Sequence, residues 1–232
     1  MKVLWLFAHP EPASLNAALR DEGLRALREL GHEYVQSDLY EMKWDPIVRE
    51  IASFDPDVVA EQEKISWADT LVVQFPLWWY GMPAILKGWF DRVFVKGFGY
   101  GLKDENGRVL RYGEGMLAGK RAMIVTTAGG RASSLGPRGV NGNLEQLLFP
   151  LQHGTFWYTG MAALPPFVVY SADRTDAAEF TAAASGLRER LARLETTEPI
   201  PYRAQNGGDY DSDLVLLPHL AAGRTDLDVH QR

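Results

Sequence analysis

Short, nearly all-apolar runs alternating with amphipathic segments predict an α/β fold. The expected core is a five-stranded parallel sheet, strand order 2-1-3-4-5, with helices on both faces. Two observations carry this. The runs KVLWLFA (Lys2–Ala8), TLVVQFP (Thr70–Pro76) and KRAMIVTT (Lys120–Thr127) are too apolar for strands with one wet face. Each is followed by a loop of Gly, Pro or small residues and then by apolar positions at helical spacing.

The elements follow in order. After Lys2–Ala8 the chain is stopped by HPEPAS, and Ser14 is a natural N-cap for a helix carrying Leu15, Ala18, Leu19, Leu24, Leu27 and Leu30. GHEYVQSDL gives the second strand, and DPIVREIASFDPD (Asp45–Asp57) a connection. VVAEQEKISWAD is a helix and Thr70–Pro76 the third strand. PAILKGWFDRVF (Pro83–Phe94) is helical, with Pro in the first turn, where its missing N–H costs nothing. KGFGYGLKDENGRVLRYGEG is a loop or hairpin excursion turning at Asn106-Gly107. The fourth strand, KRAMIVTT, leads to NLEQLLFPLQHGTF, a helix interrupted at Pro150. PPFVVYS is the fifth strand and RTDAAEFTAAASGLRERLARL the final helix. Residues 1–195 thus read as one domain. Residues 196–232 read as an irregular tail packing on the domain or on a partner subunit.

Composition narrows the function. Of the 232 residues, 46% are hydrophobic and 23% charged, as in an ordinary soluble globular protein. There is no cysteine, which excludes a disulfide scaffold and a thiolate nucleophile and fits a cytoplasmic, reducing setting. The N-terminal apolar run is too short for a secretion signal, and no run approaches a membrane span. A net charge of −6 argues against nucleic acid as the main partner. No converging ligand cluster points to a metal.

In a sheet of this order, ligands sit beyond the strands' C-terminal ends. Three loops leave there. HPEPASLN enters a helix, so the N–H groups of Ser14, Leu15 and Asn16 can face an anion, with His9 beside them. There is neither G-x-G-x-x-G nor a P-loop signature. PLWWYGMP sets Trp78, Trp79 and Tyr80 in a row, suited to stacking on a flat ring. TTAGGRASSLGPRGVNG (Thr126–Gly142) lets backbone approach a ligand's polar rim at Thr127–Gly130. Taken singly, the loops also read as a capped helix beside a surface His, a core or interface plug, and a surface loop. Taken together they fit a flavin: phosphate on the first, ring on the second, pyrimidine edge on the third. Arg131 and Arg138 are more simply solvated than recruited to a 2′-phosphate. His153 suits a cap or an interface, and His219 lies in the tail.

QFPLWWYGMPAILKGWFDRVF (Gln74–Phe94), HPEPASLNAAL, SDLYEMKWDPIV, DPDVVAEQEKISWAD and TTAGG…NG…LLFPLQHGTFWYTGM resemble, in the same order, segments of the flavodoxin-like NAD(P)H:quinone oxidoreductases of the DT-diaphorase type. The resemblance runs from Lys2 to about Leu194. It implies a homodimeric flavoenzyme with its active site at the subunit interface. Two electrons would pass by ping-pong hydride transfer from NADH or NADPH to the flavin and then to a quinone. His9, Ser14, Leu15, Asn16 and Ala18 would line the phosphates and ribityl chain. Pro76, Leu77, Trp78, Trp79 and Tyr80 would line the ring. Thr127, Ala128, Gly129, Gly130 and Leu135 would hold its far edge, with Tyr80, Gly129, Gly130 and Asn141 nearest the chemistry. The family's Tyr and His proton relay falls on Leu135 and Asn141, which cannot transfer protons at neutral pH. FAD is the flavin the family implies. The short connection after DPIV lacks the family's adenine-side insert and leaves FMN as the alternative. The same site suits an azo- or nitroreductase; some relatives regulate potassium-efflux systems, and an electron carrier without turnover is a further reading.

Overall fold

The computed structural model describes residues 1–50 and 55–232, so part of the Asp45–Asp57 connection lies outside the described residues. β1 (Lys2–Phe7), β2 (Glu33–Asp38), β3 (Thr70–Pro76) and β4 (Arg121–Ala128) form a parallel sheet in the order β2-β1-β3-β4. The fifth place is taken by two short pieces, β5 (Ala162–Ala163) and β6 (Phe167–Tyr170), both parallel to β4. The sequence predicts one strand there. The Pro165-Pro166 pair has no N–H to give to a ladder and splits it. The order 2-1-3-4-5 holds.

Alternation along β1 shows how the two faces are built. Leu4 and Leu6 pack with Val58 and Ile65 of α2 (Pro56–Trp67), Leu86 and Trp89 of α3 (Ala84–Val93) and Leu148 of α4 (Leu144–Leu151). Val3, Trp5 and Phe7 pack with Leu19 and Leu27 of α1 (Leu15–Glu29) and Leu187 and Leu191 of α5 (Ala177–Ala192). Gly23 in α1 is required by this packing, because a Cβ there would lie 2.2 Å from the Trp5 ring. Glu61 brings a carboxylate into the core; fully buried, it accepts hydrogen bonds from Trp89 Nε1 (2.9 Å) and Ser37 Oγ (3.0 Å) and pairs with Lys64.

Two boundaries differ from the sequence reading. Pro83 sits at the N-cap of α3 rather than in its first turn. The helix is not interrupted at Pro150. α4 runs through it to Leu151 and then widens into a π-helical turn, Gln152–Trp157. Within that turn Thr155 Oγ1 donates to the Pro150 carbonyl (3.3 Å). The 96–115 excursion is bridged at Lys103 and Val109, with Gly107 at φ +80°.

The C-terminal segment is irregular, but it lies against the sheet edge and the π turn. Ile200 N donates to Ala163 O (2.8 Å), Trp157 Nε1 donates to Arg203 O (3.0 Å), and Tyr202 and Val229 are buried. No helix among the described residues is long and apolar enough to cross a membrane.

Candidate active site at the C-terminal edge of the sheet

The three loops leave β1, β3 and β4 side by side and are tied to one another. At the first, Ser14 caps α1: its Oγ accepts from Ala17 N (3.1 Å) and donates to Glu11 O (2.8 Å). This geometry leaves the Leu15 and Asn16 N–H groups without a protein acceptor among the described residues. His9 is half-buried and its Nδ1 accepts from Glu11 N (3.1 Å). Ala18 is exposed one turn into the helix.

Asn16 links the first and third loops. Only 4% exposed, it donates through Nδ2 to Thr127 Oγ1 (2.9 Å), and its main-chain oxygen accepts from Gln74 Nε2 (2.7 Å). Its Oδ1 is buried with no hydrogen-bond partner among the described residues. The second and third loops join where Leu77 N donates to Thr127 O (2.8 Å), and the first and second where the His9 and Trp78 rings lie 5.7 Å apart. Pro76 is buried and Leu77 half-buried, so their backbone forms the floor of this edge.

The conformation of the second loop does not follow from local preference. Trp78 N donates to Gly81 O and Gly81 N donates to Trp78 O, both at 3.0 Å. This closes a two-residue turn whose central residues, Trp79 (φ +49°) and Tyr80 (φ +64°), are both left-handed. Such turns favour Asn-Gly; large L-residues there are strained. The turn lifts Trp79 to 97% exposure, with Tyr80 and Trp78 also exposed. An apolar ring held out into water by a strained backbone gives nothing to folding stability.

The third loop supplies the facing edge. Thr127 and Ala128 are buried, Gly129 is exposed and Gly130 half-buried. The Gly129 and Gly130 carbonyls are held by Arg174 Nη2 (3.2 Å) and Ser171 N (3.0 Å), while their N–H groups have no protein acceptor among the described residues. A Cβ on Gly129 would meet only Asp173 Oδ1, at 3.7 Å. A Cβ on Gly130 would press on Asn141 Nδ2 (3.0 Å), Leu135 Cδ1 and Ser134 Oγ.

Asn141 is oriented from two sides. Its Oδ1 accepts from Tyr80 Oη (3.2 Å), and its Nδ2 donates to Ser134 Oγ (3.2 Å), which in turn donates to Arg131 O (2.8 Å). Leu135, by contrast, is buried beneath the loop in the core. Of the residues expected at the site, Leu135 lies in the core beneath Gly130, where its Cδ1 would meet a Cβ on that glycine at 3.2 Å, and exposes almost no surface. Arg131 and Arg138 are exposed. Sequence reasoning missed Ser134, Gln74, Ser171 and Arg174. Gln74 alone left a signal, as the one polar residue inside an otherwise apolar strand pattern.

The arrangement offers exposed flat rings, a row of free N–H groups, an orphaned buried acceptor at Asn16 and no cluster of three or more acidic or histidine ligands among the described residues. Such a site can grip a planar heterocycle with an anionic tail, and a flavin fits it.

Known proteins agree with this picture. Residues 1–191 match a family defined by the flavodoxin-like fold. A ribosyldihydronicotinamide dehydrogenase-like protein of Penicillium crustosum is 46% identical over 242 aligned residues, covering 94% of this chain and 90% of that protein. The NAD(P)H dehydrogenase [quinone] 1 of Cavia porcellus is 34% identical, covering 86% and 79%. A crystal structure of a Klebsiella pneumoniae protein, provisionally identified as a quinone reductase, superposes with a TM-score of 0.95 at 46% identity and full coverage of both chains. Its likeness extends through the C-terminal segment, beyond the Leu194 limit of the motif resemblance. On its fold, its sequence and its three interlocked loops, the chain belongs to the flavodoxin-like NAD(P)H:quinone oxidoreductase family.

Proposed function

We infer that this protein is a flavin-dependent NAD(P)H:quinone oxidoreductase. The observation that carries the reading is the strained Trp79-Tyr80 turn, which holds two rings exposed across from the free N–H groups of Gly129 and Gly130. A bound flavin supplies the two-electron hydride chemistry, accepting from a reduced nicotinamide and passing to a quinone.

The chain's own residues bind, orient and hold protons. Leu15 and Asn16 N–H groups at the start of α1 take the phosphate. Trp79 and Tyr80 stack along the ring, and the Gly129 and Gly130 N–H groups face its pyrimidine rim. There they would stabilise negative charge developing on a bound flavin, and fixed donors in such a place are worth several kcal/mol. Two hydroxyls meet Asn141: Tyr80 Oη, which donates to Asn141 Oδ1 (3.2 Å), and Ser134 Oγ, whose own proton goes to Arg131 O. We assign Tyr80 to hold the proton that accompanies electron transfer and Asn141 to orient it. FAD is the proposed flavin, NADH or NADPH the donor, and a homodimer the working unit.

The test has three parts. Mass analysis of the released flavin separates FAD from FMN. Steady-state NADH and NADPH oxidation with a simple benzoquinone gives parallel reciprocal plots if the exchange is ping-pong. Tyr80→Phe and Asn141→Ala both slow turnover while leaving flavin bound. A colourless protein that takes up neither flavin overturns the reading; unchanged turnover in both variants removes the pair from the chemistry.

A further inference from the structure

The turn that follows β6 grips the third loop from behind. It consists of the 3₁₀ turn Ala172–Arg174 and its N-cap Ser171, closed by Arg174 N on Ser171 O (2.8 Å). Two of its donors reach neighbouring carbonyls of the loop. Ser171 N donates to Gly130 O (3.0 Å), and Arg174 Nη2 donates to Gly129 O (3.2 Å). Ser171 is left-handed at φ +55°, which is strained in a residue that is not glycine. Strain of this kind gathers at functional sites.

Holding an oxygen also aims the N–H at the other end of the same amide. A trans peptide is planar, with its N–H opposite its C=O. The Gly129 carbonyl shares its plane with Gly130 N–H, and the Gly130 carbonyl shares its plane with Arg131 N–H. With both oxygens held by the turn, both N–H groups face away from it. Neither has a protein acceptor among the described residues. The two holds differ in charge. Ser171 offers a neutral amide and Arg174 a cation. A charged donor on a carbonyl makes the stronger hydrogen bond and polarises the amide, so Gly130 N–H becomes the better donor of the two. Asp173 opposes this. Its carboxylate lies 3.9 Å from Arg174 Nη2, and its Oδ1 lies 3.7 Å from where a Cβ on Gly129 would stand.

We propose that the turn between β6 and α5 sets the midpoint potential of the bound flavin, with Arg174 as the positioning residue that holds and polarises the Gly129–Gly130 amide and Asp173 as its counterweight. The proposal rests on the flavin reading and deepens it. Negative charge developing beside Gly130 N–H gains more from a polarised donor than an uncharged oxidised ring does, so Arg174 favours the reduced form. The Asp173 carboxylate, at the same rim, disfavours it.

The test is dye-equilibration potentiometry on the flavin-loaded full-length protein. Arg174→Gln should weaken two-electron-reduced flavin relative to oxidised flavin by about tenfold, which lowers the midpoint potential by about 30 mV. Arg174→Lys keeps the charge and should recover part of the loss. Asp173→Asn should move the potential the other way. Both side chains are more than half exposed, so both shifts should shrink as salt is added. In the flavin-free protein, Arg174→Gln should move the amide nitrogen resonance of Gly130 and leave that of Arg131, held through Ser171, in place. If Arg174→Gln loses flavin, Asp173→Asn and the two resonances still decide. Unchanged potentials, both charge variants moving in one direction, or Gly130 and Arg131 resonances moving together overturns the proposal alone; a protein that takes up no flavin overturns the functional reading with it.

Discussion

Replacing Trp79-Tyr80 with Asn-Gly should make the flavin-free protein more stable and the enzyme worse. Both residues are left-handed within a closed two-residue turn. That conformation costs an L-residue about 1–2 kcal/mol, so the pair holds about 2–4 kcal/mol of strain. Asn-Gly relieves most of it. Against this, Gly costs about 0.5–1 kcal/mol of chain entropy, and losing the Tyr80–Asn141 hydrogen bond about another 0.5–1 kcal/mol. The net gain is about 1–2 kcal/mol, which for a chain of this size raises Tm by about 2–8 °C. Two stacked rings contribute about 0.5–1.5 kcal/mol each to a bound aromatic ligand, so flavin affinity should fall about 5- to 150-fold. Thermal unfolding of the flavin-free proteins and fluorescence titration with flavin measure the two effects separately. A variant that melts below wild type refutes the strain argument, and one that binds flavin within twofold of wild type refutes the stacking role.

Four further substitutions have outcomes that the structure fixes. Gln74→Leu strands Trp5 Nε1 and the Asn16 carbonyl and should cost about 2–4 kcal/mol in urea unfolding; Asn16→Leu loses one hydrogen bond but removes an orphaned acceptor, so its stability should stay within about 1 kcal/mol of wild type while flavin affinity drops. Gly129→Ala places its Cβ in open space, so Tm should hold or rise slightly, yet the methyl stands on the rim-facing edge and should weaken flavin; unchanged affinity would exclude that edge as the grip. His153 is held at about 4 against an ordinary 6.5, so the unfolded chain takes up its proton first. The stability it contributes is complete above about pH 6.5 and is lost as pH falls towards 4. Urea midpoints of His153→Phe should therefore fall less steeply than those of wild type across that window.

The strand positions and order were legible because β1, β3 and β4 are buried on both faces, and burial of that kind leaves an almost uninterrupted apolar run. The Ser14 cap was legible for a local reason: one side chain satisfies one turn of helix. What escaped depends on non-local compensation. Pro150 reads as a break, but α4 runs through it and passes directly into a π turn. Nothing in WWYG announces a left-handed pair, because the usual glycine signature is absent. Leu135 ends the short 3₁₀ turn Ala132–Leu135 and is buried beneath Gly130, a burial that its loop-like sequence surroundings do not announce. The C-terminal segment, with little periodicity of its own, takes its shape from the π turn and sheet edge it lies against.

The site's rigidity has a specific origin. Trp5 Nε1 donates to Gln74 Oε1, Gln74 Nε2 to the Asn16 carbonyl, and Asn16 Nδ2 to Thr127 Oγ1. This chain of buried polar groups crosses from β1 to β3, to the start of α1 and on to β4. Buried amides are costly unless paired, and a core of apolar residues would be cheaper at each of these positions. What the amides provide is register. They lock the start of α1 against the strand that leads into Gly129 and Gly130, so the N–H groups of both loops are held in place without a ligand. Binding then need not order the loops, and preorganisation of that kind raises affinity without adding a contact. The one unmatched atom in this hydrogen-bonded chain, Asn16 Oδ1, lies where the start of α1 meets β4, and as an acceptor it calls for a donor such as a hydroxyl.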